Sequence, residues 1–116
     1  MAQMFDLTGK VALITGGNGG IGLGMARGLA QCGADLAIWG TNADKNRAAR
    51  AELETFGVRV VDYVCDVGDQ EQVETVFAHT LETCGRVDAC FVNAGVGGKA
   101  ESFATMTDDA VSYTHL

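Results

Sequence analysis

VALITGGNGGIG, the stretch from residue 11 to residue 22, decides the fold of this chain. A short apolar run leads directly into a series of glycines, and a helical pattern begins at once behind them. Glycine lets the main chain turn sharply and approach a ligand without a Cβ in the way. The free N–H groups and the dipole of the following helix attract an anion. The order strand, glycine loop, helix therefore predicts a nucleotide-phosphate site near residues 15–24.

The glycines fit two patterns. Residues 17–22 match Gly-x-Gly-x-x-Gly, the general dinucleotide fingerprint, and residues 15–22 match Thr-Gly-x-x-x-Gly-Ile-Gly. A glycine-rich segment satisfies loose patterns easily, so neither match alone excludes an ordinary surface loop. A P-loop is disfavoured because no Gly-Lys-Ser/Thr follows.

A second motif chooses between the two patterns. The apolar run Val87–Val92 predicts another buried strand, and it leads into Asn-Ala-Gly at residues 93–95. Together with Thr-Gly-x-x-x-Gly-Ile-Gly, this motif resembles the short-chain dehydrogenase/reductase family. The resemblance extends from Leu7 to Thr107 and includes three further segments: LTGKVA at 7–12, CDV at 65–67 and GRVD at 85–88.

Strand-like and helical patterns alternate along the chain. Near-continuous apolar runs predict parallel strands covered on both faces, at residues 11–15, 35–39, 59–65 and 87–92. Helices are predicted from Ile21 to Cys32, from Asp44 to Phe56 and from Asp69 to Cys84, and glycines at 33 and 57 end the first two. The alternation predicts an α/β fold, a Rossmann-type doubly wound parallel sheet with the strand order 3-2-1-4.

The helices have predicted core faces. The first helix places Leu23, Ala26, Leu29 and Ala30 on one side, and the second has Ala48, Ala49, Leu53 and Phe56. The third has the clearest stripe, because its apolar positions follow the spacing i, i+3, i+4, i+7 and i+8: Val73, Val76, Phe77, Thr80 and Leu81. These residues are interpreted as core packing without a chemical role.

The resemblance implies hydride transfer between NAD(P) and an alcohol or ketone. In the family, the loop after the first strand shapes the pyrophosphate site, an Asp after the third strand accepts a hydrogen bond from adenine, and Asn-Ala-Gly borders the cofactor ribose. An alternative for Asp66 is a helix N-terminal acid, although Asp69 is better placed for that role. The candidate cofactor-binding residues are Thr15, Gly16, Asn18, Gly20, Ile21, Gly22, Thr41, Asp66, Val67, Asn93, Ala94 and Gly95.

The residues after the second strand bear on the choice between NAD and NADP. An acid there favours NAD, and an arginine favours NADP, but this chain has Gly40 and Thr41. Absence of the acid removes a repulsion against the 2′-phosphate, and Lys45 and Arg47 lie close in sequence. The interpretation favours NADP by a small margin.

The resemblance also implies a proton-transfer pair, a Tyr and a Lys four residues apart, with a Ser upstream. The chain contains Tyr63 and Tyr113, and Val67 stands four residues after the first. We therefore assign no catalytic residue and expect no turnover from residues 1–116, which we interpret as part of one NAD(P)-binding domain, truncated after about four strands. Residues 111–116 fit the family poorly, and both a native and a non-native origin stay open.

Composition restricts the partners. A net charge of −7 disfavours nucleic acid and anionic membranes. The sequence shows no signal peptide and no membrane span, and its cysteines form no C-x-x-C pair, so we expect reduced thiols, no metal site and a cytoplasmic protein. His79 and His115 have no partner at ligand spacing and are interpreted as surface residues.

The full-length protein is expected to act on a small alcohol or ketone and to form a homo-oligomer. A nucleotide-binding regulatory protein without turnover is the alternative on the same fold, and a methyltransferase is disfavoured by Asn-Ala-Gly at 93–95. The strand at 87–92 is expected to leave one edge without a partner and to cause association.

Overall fold

The computed structural model describes residues 6–93 and the short strand Thr114–His115. Strands and helices alternate along this part of the chain, and their bounds lie within two residues of the predicted ones for all three helices. The elements are β1 (Val11–Thr15), α1 (Gly20–Gln31), β2 (Asp35–Gly40), α2 (Ala43–Glu54), β3 (Val60–Val64), α3 (Gln70–Cys84), β4 (Ala89–Val92) and β5 (Thr114–His115).

The strands form one parallel sheet in the order β3-β2-β1-β4-β5. The predicted order 3-2-1-4 is therefore confirmed. β1 lies inside the sheet, where Leu13 pairs with Ala37 of β2 on one side and Cys90 of β4 on the other. All residues of β1 are buried, as expected of a strand covered on both faces.

The expectation that the outer side of β4 has no partner is wrong for its first two residues. Ala89 pairs with Thr114 and Cys90 with His115, both in parallel register. The unpaired backbone N–H and C=O groups of an open strand can form hydrogen bonds with any strand that runs in a suitable direction. A two-residue strand has no periodicity of its own, so the sequence pattern could not reveal it.

Alternate residues of the strands supply two core layers. On one face Ile14, Ile38 and Leu36 pack with α1 and α2, and on the other Leu13 and Trp39 pack with α3. The Trp39 ring meets Phe77 edge to face, with centroids 6.5 Å apart, and its Nε1 donates to Thr80 Oγ1 at 3.1 Å. None of the helices within residues 6–93 is long and apolar enough to cross a membrane.

The buried face of α2 differs from the predicted one. Ala49 and Leu53 are buried, but Ala48 is exposed and Phe56 lies beyond the helix with 37% of its surface accessible. The third buried position is Asn46, which has no accessible surface. Positions 46, 49 and 53 follow the i, i+3, i+7 spacing of one helical face. The buried face of α2 therefore includes a polar residue, which a prediction based on apolar residues alone left out.

Candidate functional site

A cleft of about 260 Å³ opens at the carboxyl edge of the sheet, where β1, β2 and β3 end. This is the edge at which parallel α/β sheets bind their ligands. Five of the predicted site residues line it: Gly16, Asn18, Thr41, Asp66 and Val67. The other lining residues are Trp39, Gly40, Asn42, Lys45 and Cys65.

The start of α1 leaves backbone donors available beside this cleft. Its N-cap, Gly19, has no side chain with which to cap the helix. Within the described part of the chain, no group accepts a hydrogen bond from the N–H of Gly20, Ile21 or Gly22. Three free donors at a helix N-terminus, with the helix dipole behind them, suit a phosphate group.

Two glycines of this loop have different surroundings. Gly20 has a φ of +55°, and a Cβ added there would meet no atom within 4 Å. A Cβ on Gly22 would instead overlap the Gly16 carbonyl oxygen and lie 2.7 Å from Asn93 Nδ2. Gly22 is therefore required for the packing of α1 against the loop, while Gly20 adjoins open space.

Thr15 does not contact the cleft. Its side chain is fully buried, and its Oγ1 accepts a hydrogen bond from the backbone N–H of Asn93 at 2.9 Å. The same hydroxyl lies 3.5 Å from the Phe91 carbonyl oxygen, to which it donates. The predicted role of Thr15 in shaping the loop stays a prediction, and the position of its hydroxyl fits it, because the hydroxyl joins the ends of β1 and β4 beneath the loop.

Asn93 extends this support. Its Nδ2 donates to the Gly16 carbonyl oxygen at 3.4 Å, so the end of β4 contacts the glycine loop from below. It does not line the cleft. Ala94 and Gly95, the remaining residues of the predicted motif, lie outside the described residues.

The two acids after β3 have separate roles. Asp69 is the N-cap of α3, and its carboxylate accepts from the N–H groups of Glu71 and Gln72. Asp66 is exposed at the cleft, with Oδ1 accepting from the Gly68 N–H at 2.9 Å. Asp69 therefore has the capping role. Asp66 Oδ2 has no partner among the described residues, so it is available at the cleft.

The turn between β2 and α2 contributes a cation. Asn42 caps α2 by accepting from the Lys45 N–H at 3.0 Å. The Lys45 Nζ lies 3.7 Å from where a Cβ on Gly19 would be, so the ammonium group stands beside the glycine loop. It forms no ion pair within the described residues, whereas Arg47 pairs with Asp44 and does not line the cleft.

Two further features of the cleft were not anticipated from the sequence. Asn46 lies beneath it and hydrogen-bonds to Asn18, Gly40 and Tyr63. Cys65 lines it, and burial, with smaller contributions from Asp66 and Asp69, raises the pKa of its thiol to about 11. A thiol with that pKa stays protonated at neutral pH and is a poor nucleophile.

No cluster of three or more His, Cys, Asp or Glu side chains that could hold a metal occurs among residues 6–93. The cysteines in this range are all free thiols. The donor set of the cleft consists of backbone N–H groups, amides, a hydroxyl, a carboxylate and an ammonium group. Such a set fits a phosphorylated nucleotide better than a metal ion.

A family model described as short chain dehydrogenase matches residues 10–114. Among curated proteins, the chain is 40% identical over 94 residues to a probable NADP-dependent mannitol dehydrogenase from Yarrowia lipolytica. That match covers 81% of this chain and 34% of the relative, so the chain spans about a third of the relative's length.

Solved structures show the same fold. An NAD⁺-bound xylitol dehydrogenase superposes with a TM-score of 0.75 at 37% identity, over 77% of this chain and 34% of that one. The L-sorbose reductase from Gluconobacter frateurii, complexed with NADPH and L-sorbose, gives a TM-score of 0.75 at 37% identity, over 80% of this chain and 36% of that one.

Proposed function

The chain belongs to the short-chain dehydrogenase family, and from this premise we propose that residues 1–116 supply the dinucleotide-binding part of an NAD(P)-dependent oxidoreductase. The observation that supports the proposal most directly is the start of α1. Three backbone N–H groups have no described acceptor there, and the N-cap Gly19 just before them has no side chain that could fill the space of a phosphate.

The cleft and the start of α1 beside it would hold different parts of the dinucleotide. The N–H groups of Gly20, Ile21 and Gly22 would bind the pyrophosphate, with Gly16 allowing the turn. Asp66 would accept from the adenine amino group through its free carboxylate oxygen, and Val67 would contact the base. When bound, the nicotinamide supplies the hydride donor or acceptor of the reaction.

The cofactor proposed is NADP in preference to NAD. Lys45 stands at the cleft with its ammonium group unpaired among the described residues, and neither Gly40 nor Thr41 presents a carboxylate. A 2′-phosphate on the adenosine ribose would gain a charge-assisted contact with Lys45. The relatives give no unanimous answer, since the xylitol dehydrogenase structure holds NAD⁺ and the sorbose reductase structure holds NADPH.

Titration of NADPH and NADH fluorescence against the wild-type chain and Lys45→Ala tests this proposal. We expect Lys45→Ala to weaken NADPH binding about tenfold, the equivalent of about 1.4 kcal/mol, and to leave NADH binding within about twofold. Arg47→Ala is the matched control, because it removes a neighbouring cation that pairs with Asp44. Equal losses for the two cofactors would contradict a 2′-phosphate contact, and binding of neither by the wild type would contradict the dinucleotide site.

The reaction proposed is reversible hydride transfer between the nicotinamide and an alcohol or ketone, with polyols and ketoses as the first substrates to assay. Within this chain we assign no proton-transfer group. The Tyr63 hydroxyl lies 2.8 Å from Thr83 Oγ1 on α3 and does not line the cleft. We therefore propose binding without turnover by residues 1–116, and oxidation of a secondary alcohol at a rate typical of an enzyme, about 1–10³ s⁻¹, would contradict this.

The remaining proposals concern the whole protein. We propose that it works in the cytoplasm as a homo-oligomer on small molecules, without nucleic-acid or membrane partners. The alternative is a regulatory protein that binds the nucleotide without chemistry. A longer reading frame with Tyr-x-x-x-Lys would favour the enzyme, and a frame without it would favour the regulator.

A further inference from the structure

The buried side chain of Asn46 connects three parts of the cleft. It lies on α2 with no accessible surface, and its Nδ2 donates to the Gly40 carbonyl oxygen at 3.0 Å and to the Tyr63 carbonyl oxygen at 3.1 Å. Its Oδ1 accepts from Asn18 Nδ2 at 2.8 Å. One amide thus joins the ends of β2 and β3 to the glycine loop.

These contacts require an amide at position 46. A carboxylate has no proton for the two carbonyl oxygens, and an apolar side chain of the same size would satisfy neither the carbonyls nor Asn18. Both Asn46 nitrogen protons and its oxygen have partners, so the donor group and the acceptor group of the amide each have a function in the fold. Residues 6–93 contain no buried side-chain nitrogen or oxygen without a partner.

The backbone at position 40 provides the space for this arrangement. A Cβ on Gly40 would overlap both Asn18 Nδ2 and Asn46 Oδ1. The Gly40 carbonyl oxygen also accepts from the Cys65 N–H at 3.1 Å, so it binds both the turn after β3 and the amide of Asn46. The absence of a side chain at Gly40 permits the amide pair, and the pair contacts the cleft through Asn18.

We propose that Asn46 is a positioning residue that fixes the glycine loop through Asn18 and thereby preorganises the dinucleotide site. Asn46 does not line the cleft and would not touch a ligand. Its neighbour Lys45 does line the cleft. The hydrogen bond between Asn18 and Asn46 would therefore also fix the distance between the glycine loop and the Lys45 ammonium group. This inference rests on the proposed dinucleotide-binding function.

A double-mutant cycle in NADPH affinity tests the inference on the full chain. Asn46→Leu and Asn18→Ala should each raise the Kd about five- to tenfold, the effect of losing one hydrogen bond that orients the site. If Asn46 acts through Asn18, adding Asn46→Leu to Asn18→Ala should raise the Kd by less than about twofold. Fully multiplicative effects would overturn the inference.

The matched control is Asp88→Ala, which removes the hydrogen-bond acceptor of the Val11 N–H at the start of β1, at the end of the strands away from the cleft. It should lower stability but leave the Kd unchanged. If it weakens NADPH binding as much as Asn46→Leu does, then lost stability explains the effect and the inference is wrong.

Amide hydrogen exchange without ligand separates this inference from the proposed function. Asn46→Leu should speed exchange of the Gly16 and Cys65 N–H groups, which bond to Trp39 and Gly40, by about fivefold or more, in line with local opening. The Leu36 N–H, which bonds to Arg59 at the far edge, should not change. Unchanged exchange at Gly16 overturns the inference even if NADPH binds. If Asn46→Leu fails to fold, exchange of the Gly16 N–H in Asn18→Ala decides, because this variant removes the contact of Asn46 with the loop and leaves its carbonyl contacts intact. That exchange should become about fivefold faster or more, and an unchanged rate overturns the inference.

Discussion

Gly20 and Gly22 differ in what surrounds the position of a missing Cβ. At Gly20 the space is open and the φ of +55° is unfavourable for other residues, whereas at Gly22 the space is filled by the Gly16 carbonyl and the Asn93 amide. The sequence motif gives both glycines the same status. Their neighbours assign Gly22 to the packing of α1 and leave Gly20 beside open space, where we propose that a phosphate approaches.

Alanine at each position should therefore produce a different defect. Gly22→Ala should lower the free energy of unfolding by about 3 kcal/mol or more, because the new methyl group overlaps backbone. Gly20→Ala should cost only about 1–2 kcal/mol from its positive φ but weaken NADPH binding strongly. Urea unfolding and NADPH titration of both variants measure the two effects. Gly24→Ala, on the exposed side of α1 with open space around it, is the control. Wild-type affinity in Gly20→Ala would argue against a phosphate at this loop.

The carboxylate of Asp88 accepts the hydrogen bond that a backbone carbonyl of a neighbouring strand would otherwise accept. Its Oδ2 accepts from the Val11 N–H at 2.8 Å, its own N–H donates to the Val11 carbonyl at 2.8 Å, and Arg86 binds both of its oxygens. Burial raises the pKa of Asp88, but the Arg86 guanidinium and the Val11 N–H outweigh it and lower that pKa below 3.8. The ionised form therefore stabilises the start of β1.

The pH dependence of stability should reveal this contribution. A lowered folded-state pKa means that the stabilisation is complete above the unfolded value near 3.8 and is lost as the pH falls through the folded value. Asp88→Asn should be less stable than the wild type at pH 7, and the difference should shrink steadily below about pH 4. Urea unfolding at several pH values measures it, and a difference that is constant from pH 7 to pH 3 would contradict the assignment.

Helix α2 shows where an element can and cannot be predicted from its sequence. Its extent follows from the Asn42 cap, the helix-forming residues and the glycine behind it, and these signals are local. Its buried face depends on partners from β2, β3 and the glycine loop. Asn46 is buried because three groups distant in sequence satisfy its amide, and an apolar count along one helix cannot detect them.

Helix α3 provides the sharpest test among the elements. Asp69 accepts from two N–H groups of its first turn, so Asp69→Ala should lower the free energy of unfolding by about 1 kcal/mol and leave NADPH affinity unchanged. Asp66→Ala should do the reverse, with weaker NADPH binding and a small effect on stability. Urea unfolding and fluorescence titration of the two variants check this. A loss of affinity in Asp69→Ala alone would mean that the roles of the two acids are exchanged.

For the whole molecule, the sheet order was predictable because alternating strands and helices with right-handed crossovers leave few topologies. The site was predictable only in part. The loop, Asp66 and Thr41 lie where parallel strands end, and this follows from topology. The inward role of Thr15 and the position of Lys45 over Gly19 depend on side-chain packing between segments that the sequence does not relate.

The outer edge of the sheet determines how the whole chain should behave in solution. β5 pairs with Ala89 and Cys90, while Phe91 and Val92 have no strand partner on that side within the described residues. An apolar edge of this kind, with no proline or lysine in β4, can pair with the same edge of another copy.

We therefore expect the chain to associate and to elute ahead of a monomer in size-exclusion chromatography. Removal of residues 111–116 should increase the association, because it also removes β5. A monodisperse monomer with one cooperative urea transition would show that the two-residue strand β5 protects this edge.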